Sequence, residues 1–98
     1  MINFKGRIIL VTGCNGFIGK AITNAFVKFG AKVIGTDLKK DKSNSKLYHF
    51  IRADLNIKNE IKKLYIEILK KTKKIDVLIN NAAYVSDSEK KETKKVKY

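Results

Sequence analysis

Short apolar runs alternate with segments of helical spacing over most of this chain. Four runs rich in β-branched and aromatic residues predict strands. These runs lie at 7–11, 31–36, 47–51 and 76–80. Two segments in which apolar residues recur every three or four positions predict helices, the first from Phe17 to Phe29 and the second beginning near Asn56. The predicted order is strand, helix, strand, strand, helix, strand.

Both predicted helices are amphipathic, and their apolar stripes indicate which faces pack on the sheet. The stripes are Ile18, Ile22, Ala25, Phe26 and Phe29 in the first helix, and Ile61, Leu64, Tyr65, Ile68 and Leu69 in the second. Gly30 is a natural end for the first helix, and the Asn56 side chain can cap the second. The fourth run, Asp76 to Asn80, is apolar at successive positions, which is typical of a strand buried on both faces.

This alternation predicts an α/β fold with a parallel sheet of about four strands and right-handed crossovers. The polar segment from Lys39 to Lys46 is interpreted as a loop, because about ten residues are too few for a full crossover helix. Residues 1–84 are expected to form the domain. Residues 85–98 are charged and lysine-rich, and they are expected to be a tail without a fifth strand.

A glycine-spaced turn connects the first strand to the first helix. Gly13, Gly16 and Gly19 stand three residues apart, and such a turn lets the backbone approach a pyrophosphate while the helix N-terminus attracts the anion. Asp37 follows at about the 20-residue spacing of an acid that binds the adenosine ribose and repels a 2′-phosphate. The pattern predicts a dinucleotide-binding fold that prefers NAD to NADP.

Composition narrows the class of protein further. The 98 residues carry a formal charge of +13, but only Arg7 and Arg52 are arginines and the lysines are scattered, so we expect no specific nucleic-acid role. The single cysteine, Cys14, excludes an intrachain disulfide and a cysteine metal cluster, which suits the cytoplasm. The sequence shows no signal peptide pattern and no apolar run of membrane-spanning length.

Four motifs in this order resemble the N-terminal half of the short-chain dehydrogenase/reductase superfamily. They are Thr12-Gly13-x-x-Gly16-Phe17-Ile18-Gly19, Asp37, Ala53-Asp54-Leu55 and Asn80-Asn81-Ala82-Ala83. The resemblance covers residues 5 to about 84 and implies a Rossmann-like fold that is truncated relative to the family. Glycines three apart resemble the extended branch and Asn-Asn-Ala the short branch, which usually has glycine in place of Ala83. By analogy the substrates would be sugars or nucleotide sugars.

The resemblance also implies roles for individual residues. The glycine turn would hold the pyrophosphate through backbone N–H groups, with Ile18 among the donors. Asp54 and Leu55 would border the adenine ring, and Asn81 and Ala82 would lie along the adenosine ribose. The expected cofactor-binding residues are Gly13, Asn15, Gly16, Phe17, Ile18, Gly19, Asp37, Leu38, Asp54, Leu55, Asn81 and Ala82.

The family's catalytic tyrosine, with a lysine four positions later, has no counterpart in the sequence. Tyr48 is followed at that distance by Arg52, Tyr65 by Leu69 and Tyr84 by Ser88, and Tyr98 is the final residue. We therefore expect no catalytic residue, no metal site and no dehydrogenase activity from the chain alone. His49 and Cys14 lack the partners of a catalytic group and are expected to be structural.

Three interpretations stay open on the sequence alone. The first, favoured by the tail, is the cofactor-binding part of a short-chain oxidoreductase that stops before the catalytic residues. The second is a stand-alone NAD-binding module, and the third is a basic structural or nucleic-acid-associated protein. Because the fourth strand would be an exposed sheet edge and the family's dimerisation helices would be missing, we expect marginal stability, weak NAD binding and association through that edge.

Overall fold

The computed structural model describes residues 2–40 and 45–82. Within them the elements are β1 (Ile8–Thr12), α1 (Phe17–Lys28), β2 (Lys32–Asp37), β3 (Tyr48–Arg52), α2 (Lys58–Lys71) and β4 (Val77–Asn80). The order is the one predicted, and each strand begins one residue later than its apolar run. The predicted tail at 85–98 and the domain boundary at residue 84 lie outside the described residues.

The four strands form one parallel sheet in the order β3-β2-β1-β4. Strand order therefore reverses between β1 and β4, as it does in doubly wound nucleotide-binding sheets. The α/β class and the parallel Rossmann-like sheet predicted from the sequence are confirmed.

The sheet has a core on each face, and each core belongs to one helix. On the α1 face, Ile22, Phe26 and Val27 pack against a buried cluster that includes Ile9 and Val11. The core of the α2 face consists of Leu10, Ile34, Ala53, Leu64 and Ile68. The middle of β1 and β2 is thus covered on both sides, as a central parallel strand requires.

The helix stripes were only partly predicted. In α1, Ile22 and Phe26 pack on the core, but Ile18, Ala25 and Phe29 are exposed, and the buried helix positions are Gly19 and Thr23. The physical reason is that Gly19, which has no side chain, lets α1 lie directly against Gly13 and Cys14 of the turn, so that the helix buries its Gly19 and Thr23 positions. Gly30, with a φ of +94°, follows the end of α1 as predicted.

In α2 only Leu64 and Ile68 of the predicted stripe are buried. Ile61, Tyr65 and Leu69 are 45%, 62% and 50% exposed. The prediction that β4 is buried on both faces was also wrong, because Leu78 is 58% exposed. Among the described residues, nothing covers the sheet beside α2 at β4. We call the exposed apolar side chains of Ile61, Tyr65 and Leu69 on α2, together with Leu78 on β4, the apolar flank.

The predicted side-chain cap at Asn56 was wrong as well. The residue at the N-cap of α2 is Ile57, and no side chain hydrogen-bonds at that cap. The backbone N–H of Asn56 instead donates to Asp54 Oδ1 at 2.9 Å. The acid in the first turn of α2 is Glu60.

The amino ends of β1 and β4 are held together by Asp76. Its Oδ2 accepts from the N–H of Ile8 at 2.8 Å, and its Oδ1 lies 3.6 Å from Arg7 and 3.4 Å from Lys74. The hydrogen bond from Ile8 is the main cause that lowers the pKa of the Asp76 carboxyl; burial opposes the shift and Lys74 and Arg7 add to it. Asp76 thus links the two strands at their amino ends, which lie opposite to the glycine turn. No helix in the described part of the chain is long and apolar enough to cross a membrane.

Candidate functional site

A cleft of about 850 Å³ lies at the carboxyl ends of the four strands. In parallel α/β sheets this edge, at the reversal of strand order, is where ligands bind. All the residues proposed from the sequence line the cleft except Asn15 and Gly19. Its lining also includes Thr36, Ala53, Asn56 and Asn80.

The three glycines of the turn differ in their surroundings. Gly13 has a φ of +66°, and a Cβ there would lie 3.0 Å from the Cα of Ala82. A Cβ on Gly19 would overlap the carbonyl oxygen of Gly13 and lie 2.8 Å from the Cα of Cys14. At Gly16 the same atom would meet only the Gly13 carbonyl oxygen, at 3.5 Å. Gly13 and Gly19 are therefore required by the chain itself, whereas Gly16 leaves free space at the cleft.

Helix α1 presents an open N-terminus to the cleft. Its N-cap is Gly16, no side chain caps it, and its first turn contains no acidic residue. The first hydrogen bond of the helix runs from the N–H of Lys20 to the Gly16 carbonyl at 2.9 Å, so the N–H groups before it have no acceptor within the helix. Phe17 and Ile18, which line the cleft, are exposed. The arrangement suits an anion, because N–H groups and the helix dipole converge there.

The carboxylate of Asp37 is held by two backbone donors. Its Oδ2 accepts from the N–H of Asn15 at 2.9 Å, and its Oδ1 accepts from the N–H of Leu38 at 2.7 Å. The Asn15 side chain donates to the Lys39 carbonyl at 2.7 Å. Asn15 therefore does not line the cleft but fastens the glycine turn to the end of β2. Each oxygen of Asp37 keeps acceptor capacity for a ligand hydroxyl.

The hydroxyl of Thr12 joins the ends of β1 and β4. It accepts from the N–H groups of Asn81 and Ala82, each at 3.0 Å, and lies 3.2 Å from Asn80 Oδ1, to which it can donate. Asn81 Nδ2 donates to the Gly13 carbonyl at 3.1 Å. Both asparagine side chains thus brace the carboxyl ends of β1 and β4. Thr12 belongs to the glycine motif, but the sequence alone predicted no role for its hydroxyl.

The far wall of the cleft depends on two residues that the sequence analysis did not single out. Arg52 donates from Nε to the Leu38 carbonyl at 3.0 Å and from Nη1 to Glu60 Oε1 at 2.6 Å. The same Glu60 oxygen accepts from the N–H of Asp54 at 2.9 Å. We call this group the Arg52–Glu60 bracket. No local pattern signals it, because its members come from a strand end and from a helix.

Cys14 and His49 lie apart from the cleft lining. Cys14 is buried with its Sγ 3.3 Å from the Tyr48 hydroxyl, in space that a Cβ on Gly35 would fill. His49 is half-buried on β3. Its pKa is lowered from 6.5 by burial, then by Lys71 and Lys32, against an opposing effect of Glu67. In the described residues, no group of three or more His, Cys, Asp or Glu side chains could hold a metal ion.

Comparison with protein families identifies the group to which this sheet and cleft belong. The family model described as "short chain dehydrogenase" matches residues 7–98. The chain belongs to the short-chain dehydrogenase family. The superfamily indicated by the four sequence motifs is thereby confirmed.

Individual short-chain dehydrogenases match the chain over most of its length. The 3-oxoacyl-(acyl-carrier-protein) reductase FabG of Buchnera aphidicola is 35% identical over 94 residues, covering 89% of this chain and 38% of the relative. The structure of a short chain dehydrogenase from Leptospira borgpetersenii with bound NAD+ has a TM-score of 0.77 and 27% identity, covering 92% of this chain and 39% of that one. The ligand-free aldohexose dehydrogenase of Thermoplasma acidophilum has a TM-score of 0.72 and 34% identity, covering 84% and 31%.

The chain spans 33% to 39% of the length of four curated relatives. It therefore corresponds to part of a short-chain dehydrogenase. That part contains the glycine turn, Asp37 and the Asn80-Asn81 segment, and so the sequence-based assignment to the nucleotide-binding part of an oxidoreductase of this family is confirmed.

Proposed function

We propose that the cleft binds a nicotinamide dinucleotide, and NAD in preference to NADP. The observation that carries this proposal is the Asp37 carboxylate, fixed by two backbone donors beside an open helix N-terminus. The free space at Gly16 fits a pyrophosphate that approaches the backbone closely. The similarity to a solved short chain dehydrogenase with bound NAD+ supports the same ligand.

Residues of the cleft are proposed for the pyrophosphate and for the adenosine of the dinucleotide. The pyrophosphate would lie against Gly13, Gly16 and the N–H groups at Phe17 and Ile18, with Gly19 allowing the close helix packing. The adenosine ribose would bond to Asp37. Leu38, Asp54 and Leu55 would lie at the adenine, and Asn81 and Ala82 would lie along the ribose. Asn15 would contribute by orienting Asp37.

The preference for NAD follows from charge. A 2′-phosphate on the ribose would bring a second anion against the Asp37 carboxylate, which its two backbone bonds hold in place. Leu38, exposed and apolar, follows it where a basic side chain would favour the phosphate. Lys39 comes next and is exposed. Its contact with Asn15 is made by its backbone carbonyl and does not involve its charged side chain.

We propose that this nucleotide-binding part serves an oxidoreductase that acts on sugars or nucleotide sugars, a class supported by the aldohexose dehydrogenase among the similar structures. By itself the chain would bind the dinucleotide without turnover, because its sequence contains no tyrosine followed four positions later by lysine. We propose no specific nucleic-acid or membrane partner, a cytoplasmic location, and association through the β4 edge. The second candidate is a stand-alone NAD-binding module, which the completeness of the adenosine side of the cleft favours.

Calorimetric titration of the chain with NAD and with NADP tests the proposal. We expect NAD to bind, and NADP to bind about tenfold more weakly or worse, since a charge-assisted contact is worth about 1.5–3 kcal/mol. Asp37→Asn should weaken NAD and bring the two affinities together. Glu67→Gln makes the same change of charge on an exposed part of α2, away from the cleft, and is the control. Absence of binding by either dinucleotide, or an Asp37→Asn variant that binds like the wild type, would refute the proposal.

A further inference from the structure

Arg52 and Glu60 link two loops that the sheet no longer connects. The last backbone bond between these segments runs from the N–H of Ala53 to the Asp37 carbonyl at 3.0 Å. Beyond it, Arg52 Nε bonds the carbonyl of Leu38, in the loop after β2. Glu60 Oε1 bonds the N–H of Asp54, in the loop after β3. The 2.6 Å contact between Arg52 and Glu60 closes the link.

The two linked residues follow the neighbouring strands β2 and β3 and both belong to the cleft, whereas the bracket itself stays outside it. Leu38 and Asp54 both line the cleft, and neither Arg52 nor Glu60 does. The bracket therefore fixes how far apart the loop of Leu38 and the loop of Asp54 stand. In the proposed function, those loops enclose the adenosine end of the dinucleotide.

We propose that Arg52 and Glu60 are positioning residues that hold the adenosine end of the cleft in its binding geometry. The inference rests on the proposed dinucleotide binding and extends it to two residues that would not touch the ligand. Loops held in place before binding lose less conformational freedom when the ligand arrives. Without the bracket, the ligand would have to order the two loops on binding, and the free energy which that costs would weaken the binding of adenosine.

A second ion pair, formed by Glu67 and Lys70 on α2, shows by contrast what distinguishes the Arg52–Glu60 pair. Glu67 and Lys70 lie 3.1 Å apart, with 44% and 65% of their side chains exposed, and they join neighbouring positions of α2. An exposed ion pair of this kind contributes little to the stability of a protein. Glu60 is less exposed, at 24%, and holds a backbone group of a cleft loop in addition to its charge partner. The Glu67–Lys70 pair is therefore a matched control.

The experiment is an NMR titration of the isotopically labelled chain with AMP, NAD and inorganic pyrophosphate. For Glu60→Ala we expect the dissociation constants of AMP and NAD to rise about tenfold, because two loops must then be ordered by the ligand. Pyrophosphate should bind as it does to the wild type, since the glycine turn is untouched. Glu60→Gln, which keeps an acceptor for the Asp54 N–H, should show a smaller rise. Glu67→Ala should change none of the three constants.

The control ligand separates positioning from general damage. Equal weakening of AMP and pyrophosphate by Glu60→Ala would mean that the bracket merely stabilises the fold, and would overturn the inference. So would wild-type affinity for AMP in Glu60→Ala, or an equal loss in Glu67→Ala. A wild-type chain that binds neither AMP nor NAD refutes the proposed function and this inference with it. A wild type that binds both, beside an unaffected Glu60→Ala, refutes this inference alone.

Discussion

A methyl group added at Gly19 would overlap the Gly13 carbonyl oxygen, whereas one added at Gly16 would meet that oxygen at an ordinary 3.5 Å. The two positions belong to the same motif, but only the first is required for folding. At Gly16, with a φ of −70°, an alanine is compatible with the backbone and its methyl group would point into space left for a ligand. Of these two positions, Gly19 thus meets a structural requirement and Gly16 a binding requirement.

We predict opposite outcomes for alanine at these two glycines. Gly19→Ala should lower the free energy of unfolding by about 1–3 kcal/mol or more, because the helix must move away from Gly13 and Cys14 of the turn. Gly16→Ala should change it by less than about 1 kcal/mol, the usual range for an N-cap replacement, yet weaken NAD binding. Urea unfolding and calorimetric titration of both variants check this. A Gly16→Ala chain that unfolds as easily as Gly19→Ala would contradict the assignment.

At the carboxyl ends of β1 and β4, one hydroxyl links the two strands. Thr12 accepts from two backbone N–H groups, at Asn81 and Ala82, so its removal would leave two donors unsatisfied at the end of the sheet. Thr36, on the neighbouring strand, is fully buried, and within the described part of the chain its hydroxyl has no hydrogen-bond partner. The two threonines offer a direct comparison of a bonded and an unbonded hydroxyl in adjacent strands.

We predict that Thr12→Val destabilises the chain by about 1–3 kcal/mol, the usual cost of an unsatisfied buried group. Thr36→Val should be neutral or stabilising, because it removes a polar group that makes no bond. Urea unfolding curves of the two variants measure the difference. The prediction fails if both substitutions cost the same. NMR signals of the Asn81 and Ala82 amides should shift only in Thr12→Val.

The comparison of sequence with structure separates local from non-local information. The strands and helices were predicted to within a residue or two because hydrophobic spacing and Gly30 act within a few positions of the chain. The buried faces of the helices were predicted only in part, because the burial of a side chain such as Tyr65 or Ile18 depends on whether another segment covers it. In the site, the glycine turn and Asp37 were predicted from spacing. The Arg52–Glu60 bracket and the role of Thr12 were not, because they arise where separate segments meet.

At the scale of the whole molecule, the apolar flank leaves four large apolar side chains exposed. It consists of exposed side chains of α2 and of Leu78 on β4, and among the described residues β4 pairs only with β1. Apolar side chains beside an unpaired strand favour association, since the strand offers backbone bonds and the side chains offer area to bury. The high positive charge opposes association, and salt reduces that repulsion.

We predict that the 98-residue chain self-associates in a concentration-dependent way and more strongly as salt is raised. Leu78→Glu should shift the distribution towards monomer. Ile2→Glu introduces the same charge at another exposed apolar residue, 61% exposed and away from β4, and should have little effect. Light scattering coupled to size-exclusion chromatography measures both. A wild-type chain that is monomeric at every concentration and salt level would contradict the prediction.

The bond between Thr12 and Asn81 spans 69 positions, nearly the full described chain, and this separation has a consequence for synthesis. On the ribosome, β1, α1 and β2 are complete long before the segment that bonds to Thr12 has emerged. Contacts between distant positions form late, because the loop between them must be closed first. The cleft is therefore assembled last, when β4 docks beside β1. A nucleotide that needs both sides of the cleft would bind only after β4 has docked beside β1, and by mass action it would stabilise the docked strand against release.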